Sequence, residues 1–169
     1  MSPPELEQLC HRHSAALFSF LLNLTRNQAD TLDLLQELFI ALAQRPEQLR
    51  SVRHERQYLF HRAHHLGIDL IRRRETRNRI QEAAVQESVE LFAPVQDPDA
   101  DEYRCQLTSA LGDLPPEQRA VVHLKLWEGL TFETIAETLE IPVNTAASRY
   151  RYGLEKLRER LRPLYEEIR

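Results

Sequence analysis

Two runs of helically spaced apolar residues meet at Glu140-Ile141-Pro142, and this junction restricts the folds open to the chain more than any other feature. It lies within GLTFETIAETLEIPVNTAASRYRYGLEKLRERL, residues 129–161. Thr131 can cap a helix whose first turn holds Glu133 and Thr134. Ile135, Ala136 and Leu139 then repeat on one face. Pro142 lacks a backbone donor and clashes with a preceding helical turn, so the run breaks at Glu140-Ile141-Pro142. A second run follows, with Asn144 or Thr145 as its cap. Its buried stripe is Ala146, Tyr150, Leu154, Leu157 and Leu161, at steps of four, four, three and four. Ile141 fills the angle between the two helices, and the small Ala136 lets them approach closely. These are the requirements of a helix-turn-helix.

What the second helix leaves outward is Asn144, Thr145, Ser148, Arg149, Arg151, Tyr152 and Lys156. Those hydrogen-bonding and cationic groups lie where a recognition helix meets base edges and phosphates. An ordinary helical hairpin with a solvated face is the plainer alternative. The coincidence of turn, small residue and polar face argues against it.

The rest of the chain also reads as helix. Only four Gly occur in 169 residues, and Leu, Glu, Arg and Gln outweigh Val and Thr. Residues 5–24 place Leu6, Leu9, Ala16, Phe20 and Leu24 near helical spacing. Asn27 begins a second helix with Leu32, Leu35, Leu38, Phe39 and Leu42 on one face, ending before Pro46. A third runs from about Arg53 to Arg74, with Leu59, Ala63, Leu66 and Leu70 inward. No Pro occurs between residues 47 and 93, so it can continue past Arg79 toward Glu90. APVQDPDADEY, 93–103, carries two Pro, four acids and no apolar stripe, which makes it the best linker in the chain. Tyr103–Leu111 reads as a short helix. Asp113-Leu114-Pro115-Pro116 opens the next, with Val121, Val122, Leu124, Leu126 and Trp127 as its core. The expected fold class is all-α: two small helical domains, residues 1–80 and 104–169, joined by a flexible acidic linker over 81–103.

The net charge of -4 conceals a segregation. Residues 50–79 carry nine Arg against three acids, residues 81–103 seven acids and no base, and residues 143–169 seven bases against four acids. A partner meets these blocks and not their sum. Of 22 basic residues 20 are Arg, suited to bidentate phosphate and base contacts. No apolar run approaches the roughly 18–20 residues of a membrane span. MSPPELEQLCHRH shows no export signal, and Cys10 and Cys105 are too few for a disulfide framework. The expectation is a cytoplasmic protein without membrane insertion.

HRAHHLGIDLIRRR, 61–74, holds three His and four Arg. His61, His65 and Asp69 fall at i, i+4 and i+8 on one stripe, and two His at that interval can share zinc. That would suit a metal-dependent hydrolase. Against it, only His11 and His13 offer further clustered ligands, and the Arg triplet one turn away opposes a dication. Nucleic acid fits better, because Arg62, Arg72, Arg73 and Arg74 combine charge with the stackable rings of Tyr58 and the histidines. No Ser-His-Asp or Cys-His arrangement, phosphate-cradling Gly loop or catalytic carboxylate pair emerges. The expectation is no catalysis, no metal and no cofactor.

Three segments, in order, resemble one family, the bacterial sigma-70 factors of the extracytoplasmic-function group. DLLQELFIAL, 33–42, is similar to that family's helix for docking on the polymerase beta-prime clamp. YLFHRAHHLGIDLIRRR, 58–74, is similar to its promoter-melting and minus-ten helix. LPPEQRAVVHLKLWEGLTFETIAETLEIPVNTAASRYRYGLEKLRERL, 114–161, is similar to its minus-thirty-five domain. The resemblance implies sigma region two over 1–80 and region four over 104–169. It further implies polymerase docking through Asp33, Leu34, Gln36 and Glu37, and capture of an unstacked minus-ten base by Arg62, His65, Arg72, Arg73 and Arg74. Minus-thirty-five contacts would come from Asn144, Thr145, Ser148, Arg149, Arg151, Tyr152 and Lys156. Core RNA polymerase through its beta-prime clamp and beta flap, promoter DNA and an anti-sigma factor are the implied partners. The acidic linker would thread the polymerase cleft, and residues 48–56 would form the base pocket. Tyr58 stands where the family usually has Trp, His65 where it has Asn, Glu140 and Asn144 where Gly is common, and Ala147 where Lys is frequent. A free-standing helix-turn-helix regulator, with no polymerase face, is the alternative from another class.

Overall fold

The structure, a computed structural model, describes residues 3–78 and 98–167. Among the described residues there are helices and short connections and no strand. The chain divides into two compact units, Met1–Glu87 and Ser88–Arg169.

The first unit contains α1 (Pro3–Thr25), α2 (Gln28–Gln44), α3 (Pro46–Arg50) and α4 (Glu55–Asn78). Asn27 caps α2 as expected, its side chain accepting from the Asp30 N–H at 2.9 Å. Pro46 both ends that helix and opens the short α3, a turn the sequence pattern did not predict. Leu17, Phe20, Leu21 and Leu24 of α1 meet Leu38 and Leu42 of α2 and Leu59, Phe60 and Ala63 of α4 in a closed core. Phe20 and Phe60 pack edge to face at 5.3 Å, the arrangement that aromatic quadrupoles favour. At Gly67 a Cβ would stand 3.2 Å from Leu24 Cδ1, so α4 crosses α1 where no side chain separates them.

Helix α2 is rotated from the expected face. Leu32 is 50% exposed, and the inward stripe is Thr31, Leu34, Leu38 and Leu42. The Thr31 hydroxyl lies 2.8 Å from that of Thr25 and donates to the Asn27 carbonyl at 2.8 Å. A buried hydroxyl must be satisfied, so this pair sets the helix rotation where apolar count alone is ambiguous.

The second unit contains α5 (Pro98–Gly112), α6 (Pro116–Leu126), α7 (Phe132–Leu139) and α8 (Val143–Glu167). Helix α5 starts at Pro98, inside the stretch expected to be tether, and residues 81–97 of that stretch lie outside the described residues. So does the expected continuation of α4 toward Glu90. Ala110, Leu111, Leu114, Val122 and Leu157 form the core cluster, with Leu107, Tyr150, Leu154 and Leu161 packed on it. A Cβ on Gly153 would meet Val122 Cγ2 at 2.7 Å, so the α6–α8 crossing requires glycine there.

Leu126 and Trp127, expected inside, are 51% and 40% exposed. The reason is where α6 stops: the chain turns through Gly129 at φ 65, and the last turn lies beyond the packed stripe of Val121, Val122 and Leu124. The Trp127 ring instead stacks on His123 at 5.3 Å, and the His123 ring lies 3.5 Å from the Glu128 carboxylate.

Candidate nucleic-acid interface

The helix-turn-helix is α7 and α8. Thr131 caps α7, its hydroxyl accepting from the Thr134 N–H at 3.2 Å. The turn closes on Glu140, which adopts a left-handed backbone at φ 55, and the Ile141 N–H returns to the Ala136 carbonyl at 3.0 Å. Ile135, Ala136 and Leu139 are buried as expected.

Neither Asn144 nor Thr145 caps the second helix. Helix α8 begins at Val143, and the Pro142 carbonyl accepts the Ala146 N–H at 3.1 Å. Proline has already set the backbone, so both polar side chains fall in the first turn and stand out from it. Asn144, Arg151, Tyr152 and Lys156 are exposed, while Thr145, Ser148 and Arg149 are half-buried. At about 100° per residue, Asn144, Ser148 and Arg151 lie within roughly 60° of one another, flanked by Thr145, Arg149, Tyr152 and Lys156. The Arg151 guanidinium sits 5.1 Å over the Tyr152 ring. Sequence reasoning missed Glu155, an exposed acid in the middle of this face. Its i+7 spacing from Ser148 was the available signal.

In the first unit, α4 presents a second basic face. Its start is anchored by Glu55, which accepts from His13 at 2.6 Å and Arg12 at 3.2 Å. The Tyr58 hydroxyl donates to Gln48 Oε1 at 3.2 Å, joining α4 to α3. Helical phase gathers Arg62, His65, Arg72 and Arg73 with His61 and Asp69 on the side opposite Phe60 and Gly67. Of these Arg62 and His61 are half-buried and the others exposed.

Arg74 does not join them. Its guanidinium forms an ion pair with Asp30 at the start of α2. It extends the inward stripe of Leu59, Ala63, Leu66 and Leu70 by one further step of four, so the periodicity itself points it toward the bundle. Arg74 is therefore held on the bundle side of α4, apart from the exposed Arg72 and Arg73 with which it was grouped.

A third surface lies on α2. Asp33, Gln36 and Glu37 are exposed and line a shallow groove with Ile40, Ala41 and Gln44. Ile40, at 48% exposure, supplies an apolar floor between the acids. Leu34, expected on this surface, is only 7% exposed and belongs to the core, because the rotation of α2 that buries Thr31 carries it inward.

Comparison with known proteins covers both units. The family models "Sigma-70 region 2" and "Sigma-70, region 4" match residues 9–77 and 110–159. The chain is 33% identical to the ECF RNA polymerase sigma factor SigE of Mycolicibacterium smegmatis over 94% of its own length, and spans 62% of that relative. It is 30% identical to the ECF sigma factor SigL of Mycobacterium tuberculosis, covering 94% of this chain and 90% of the relative. The solved structure of RpoE from Bartonella quintana, in complex with the anti-sigma factor NepR, has a similar fold. The TM-score is 0.79 at 21% identity, over 94% of this chain and 97% of that one.

Proposed function

The chain belongs to the sigma-70 family of RNA polymerase sigma factors, in its extracytoplasmic-function group, and from that premise we propose how its surfaces divide the work of promoter recognition and opening. The observation that carries the reading is the polar face of α8, where Asn144, Thr145 and Ser148 stand in the first turns and Arg149, Arg151 and Lys156 follow. Asn144, Thr145 and Ser148 reach base edges in the major groove of the minus-thirty-five element, and the cations fix register on phosphates. Arg151 lies over the Tyr152 ring, which holds its guanidinium beside an aromatic face. Glu155, exposed between Arg151 and Lys156, repels phosphate at its own position.

The α4 face engages the minus-ten element as single strand. Unstacking a base costs a few kcal/mol, recovered by ring stacking and by cations on the backbone. Tyr58, His61 and His65 supply rings, and Arg62, Arg72 and Arg73 supply charge. The connection at Ser51–His54, next to Tyr58 and Gln48, is the candidate base pocket. The acidic groove of α2 docks on the polymerase beta-prime clamp through Asp33, Gln36 and Glu37, and the second unit meets the beta flap. Residues 81–97 act as the acidic tether. An anti-sigma factor that covers the basic faces is a further partner of the same reading.

On this account the protein is a specificity subunit without chemistry of its own, acting in the cytoplasm. Among the described residues no helix is long and apolar enough to cross a membrane. The test is capture of core polymerase by the full chain, followed by transcription from a genomic promoter library. Selective initiation from a sequence class sharing two spaced elements is expected. Failure to bind core polymerase, or tight binding of the isolated chain to a palindromic site, would overturn it.

A further inference from the structure

The face of α4 that the promoter reading uses for stacking carries a second chemistry. We propose that His61 and His65 form a two-imidazole site for a borderline divalent transition-metal ion, of the class of Cu2+, Ni2+ or Zn2+. The ring centroids are 4.4 Å apart, and ligating nitrogens of the two rings lie within 4.8 Å of each other. Metal–nitrogen bonds of about 2.0–2.1 Å bring two such nitrogens onto one ion after a small side-chain rotation. The i, i+4 interval supplies this geometry because both side chains lean over the same turn of helix. Imidazole selects these ions over Mg2+ or Ca2+, and among them affinity rises from Ni2+ to Cu2+.

Residues around the pair decide how many ligands the protein provides. Asp69 shares the stripe, but eight residues separate it from His61, about 12 Å along the axis. It therefore stands outside direct coordination and contributes a favourable field. Arg72 and Arg73 lie seven and eight residues past His65, roughly 10–12 Å along the axis. That exceeds the Debye length of about 8 Å at physiological salt, so their repulsion of a dication is largely screened. His64 faces another side of the helix, its ring 6.0 Å from that of His65.

A metal held by His61 and His65 removes two ring faces from base stacking, so metal and single-stranded minus-ten DNA compete. This consequence rests on the promoter reading, whereas the site itself does not. The test begins on the full chain alone, by calorimetric titration with Cu2+ and Zn2+ and by the electron paramagnetic resonance of bound Cu2+. One ion per chain with two-nitrogen ligation is expected, Cu2+ tighter than Zn2+. Loss of an outer partner of a metal ligand costs 10–100-fold in affinity, so His61→Gln or His65→Gln, which removes a ligand outright, should cost at least about tenfold. His64→Gln, which leaves the pair intact, should cost little. Absence of stoichiometric binding, or equal affinity in the His61→Gln/His65→Gln double variant, overturns the site. Metal affinity measured on the chain alone judges the site, and promoter opening by the holoenzyme judges the minus-ten reading, so the failure of one is distinguishable from the failure of the other.

Discussion

Arg74 of α4 is ion-paired with Asp30 of α2, while Arg72 and Arg73, its immediate neighbours, are exposed. One arginine triplet is thereby divided between two faces of the helix. The helix turns about 100° per residue, so three consecutive side chains cannot share a face. Arg72 and Arg73 remain available to a polyanion, and Arg74 holds the end of α4 against the bundle.

Replacing Arg72 and Arg73 by Glu should abolish promoter opening while leaving core-polymerase capture intact. Replacing Arg74 by Ala should leave opening largely in place and lower stability by about 1 kcal/mol or less, since the pair is partly exposed. Abortive transcription and thermal denaturation of the same variants check both. For every phosphate that a variant no longer neutralises, the salt slope of single-strand binding should also fall by about 0.7. If Arg74→Ala mimics the double reversal in transcription, the division of the triplet is wrong.

Changing Asp33 and Glu37 to Lys should do the converse. Both carboxylates are exposed beside Ile40, so the bundle should tolerate the change. Like charges brought together at an interface cost several kcal/mol, and affinity for core polymerase should fall by well over about tenfold. Competition with an unmodified sigma factor measures it, and undiminished competition would remove α2 as the docking surface.

Gly153→Ala should destabilise the second unit by about 1–3 kcal/mol despite the better helix propensity of Ala. The added methyl falls 2.7 Å from Val122 Cγ2, so the α6–α8 crossing must shift to admit it. Trp127 is the sole tryptophan, so its fluorescence during denaturation reports on this unit alone. Val122→Ala in the Gly153→Ala background should restore part of the stability, a non-additivity that simple helix weakening would not produce.

Glu140→Gly should stabilise the same unit by about 0.5–1 kcal/mol, because a left-handed backbone is costly for any residue with a Cβ. The relevant angle is φ 55 in the turn between α7 and α8. A lowered midpoint in the Trp127 transition would mean that the Glu140 side chain contributes more than its backbone costs.

Much of this fold is legible in the sequence. Helix starts at Asn27, Pro116 and Thr131 follow from local chemistry that acts within a turn or two. The ordered resemblance of three segments points to the family, and the polar face of α8 follows from period alone. Less legible are choices among near-equal local options. Leu32 or Leu34 could face inward, and the Thr25–Thr31 hydroxyl pair decides for Leu34. Asn144 and Thr145 both suit a cap, yet Pro142 starts the helix before either.

By itself the sequence determined which segments are helical, where they break, and that cationic side chains gather on two modules despite an acidic total. Those properties depend on residues within a few positions of one another. Tertiary packing decided the rotation of α2, the pairing of Arg74 with Asp30 and the exposure of Leu126 and Trp127. Each of these depends on a partner outside the helix that carries it, or on where that helix stops. The local pattern left those alternatives close in free energy, and a buried hydroxyl or an available carboxylate was enough to select one.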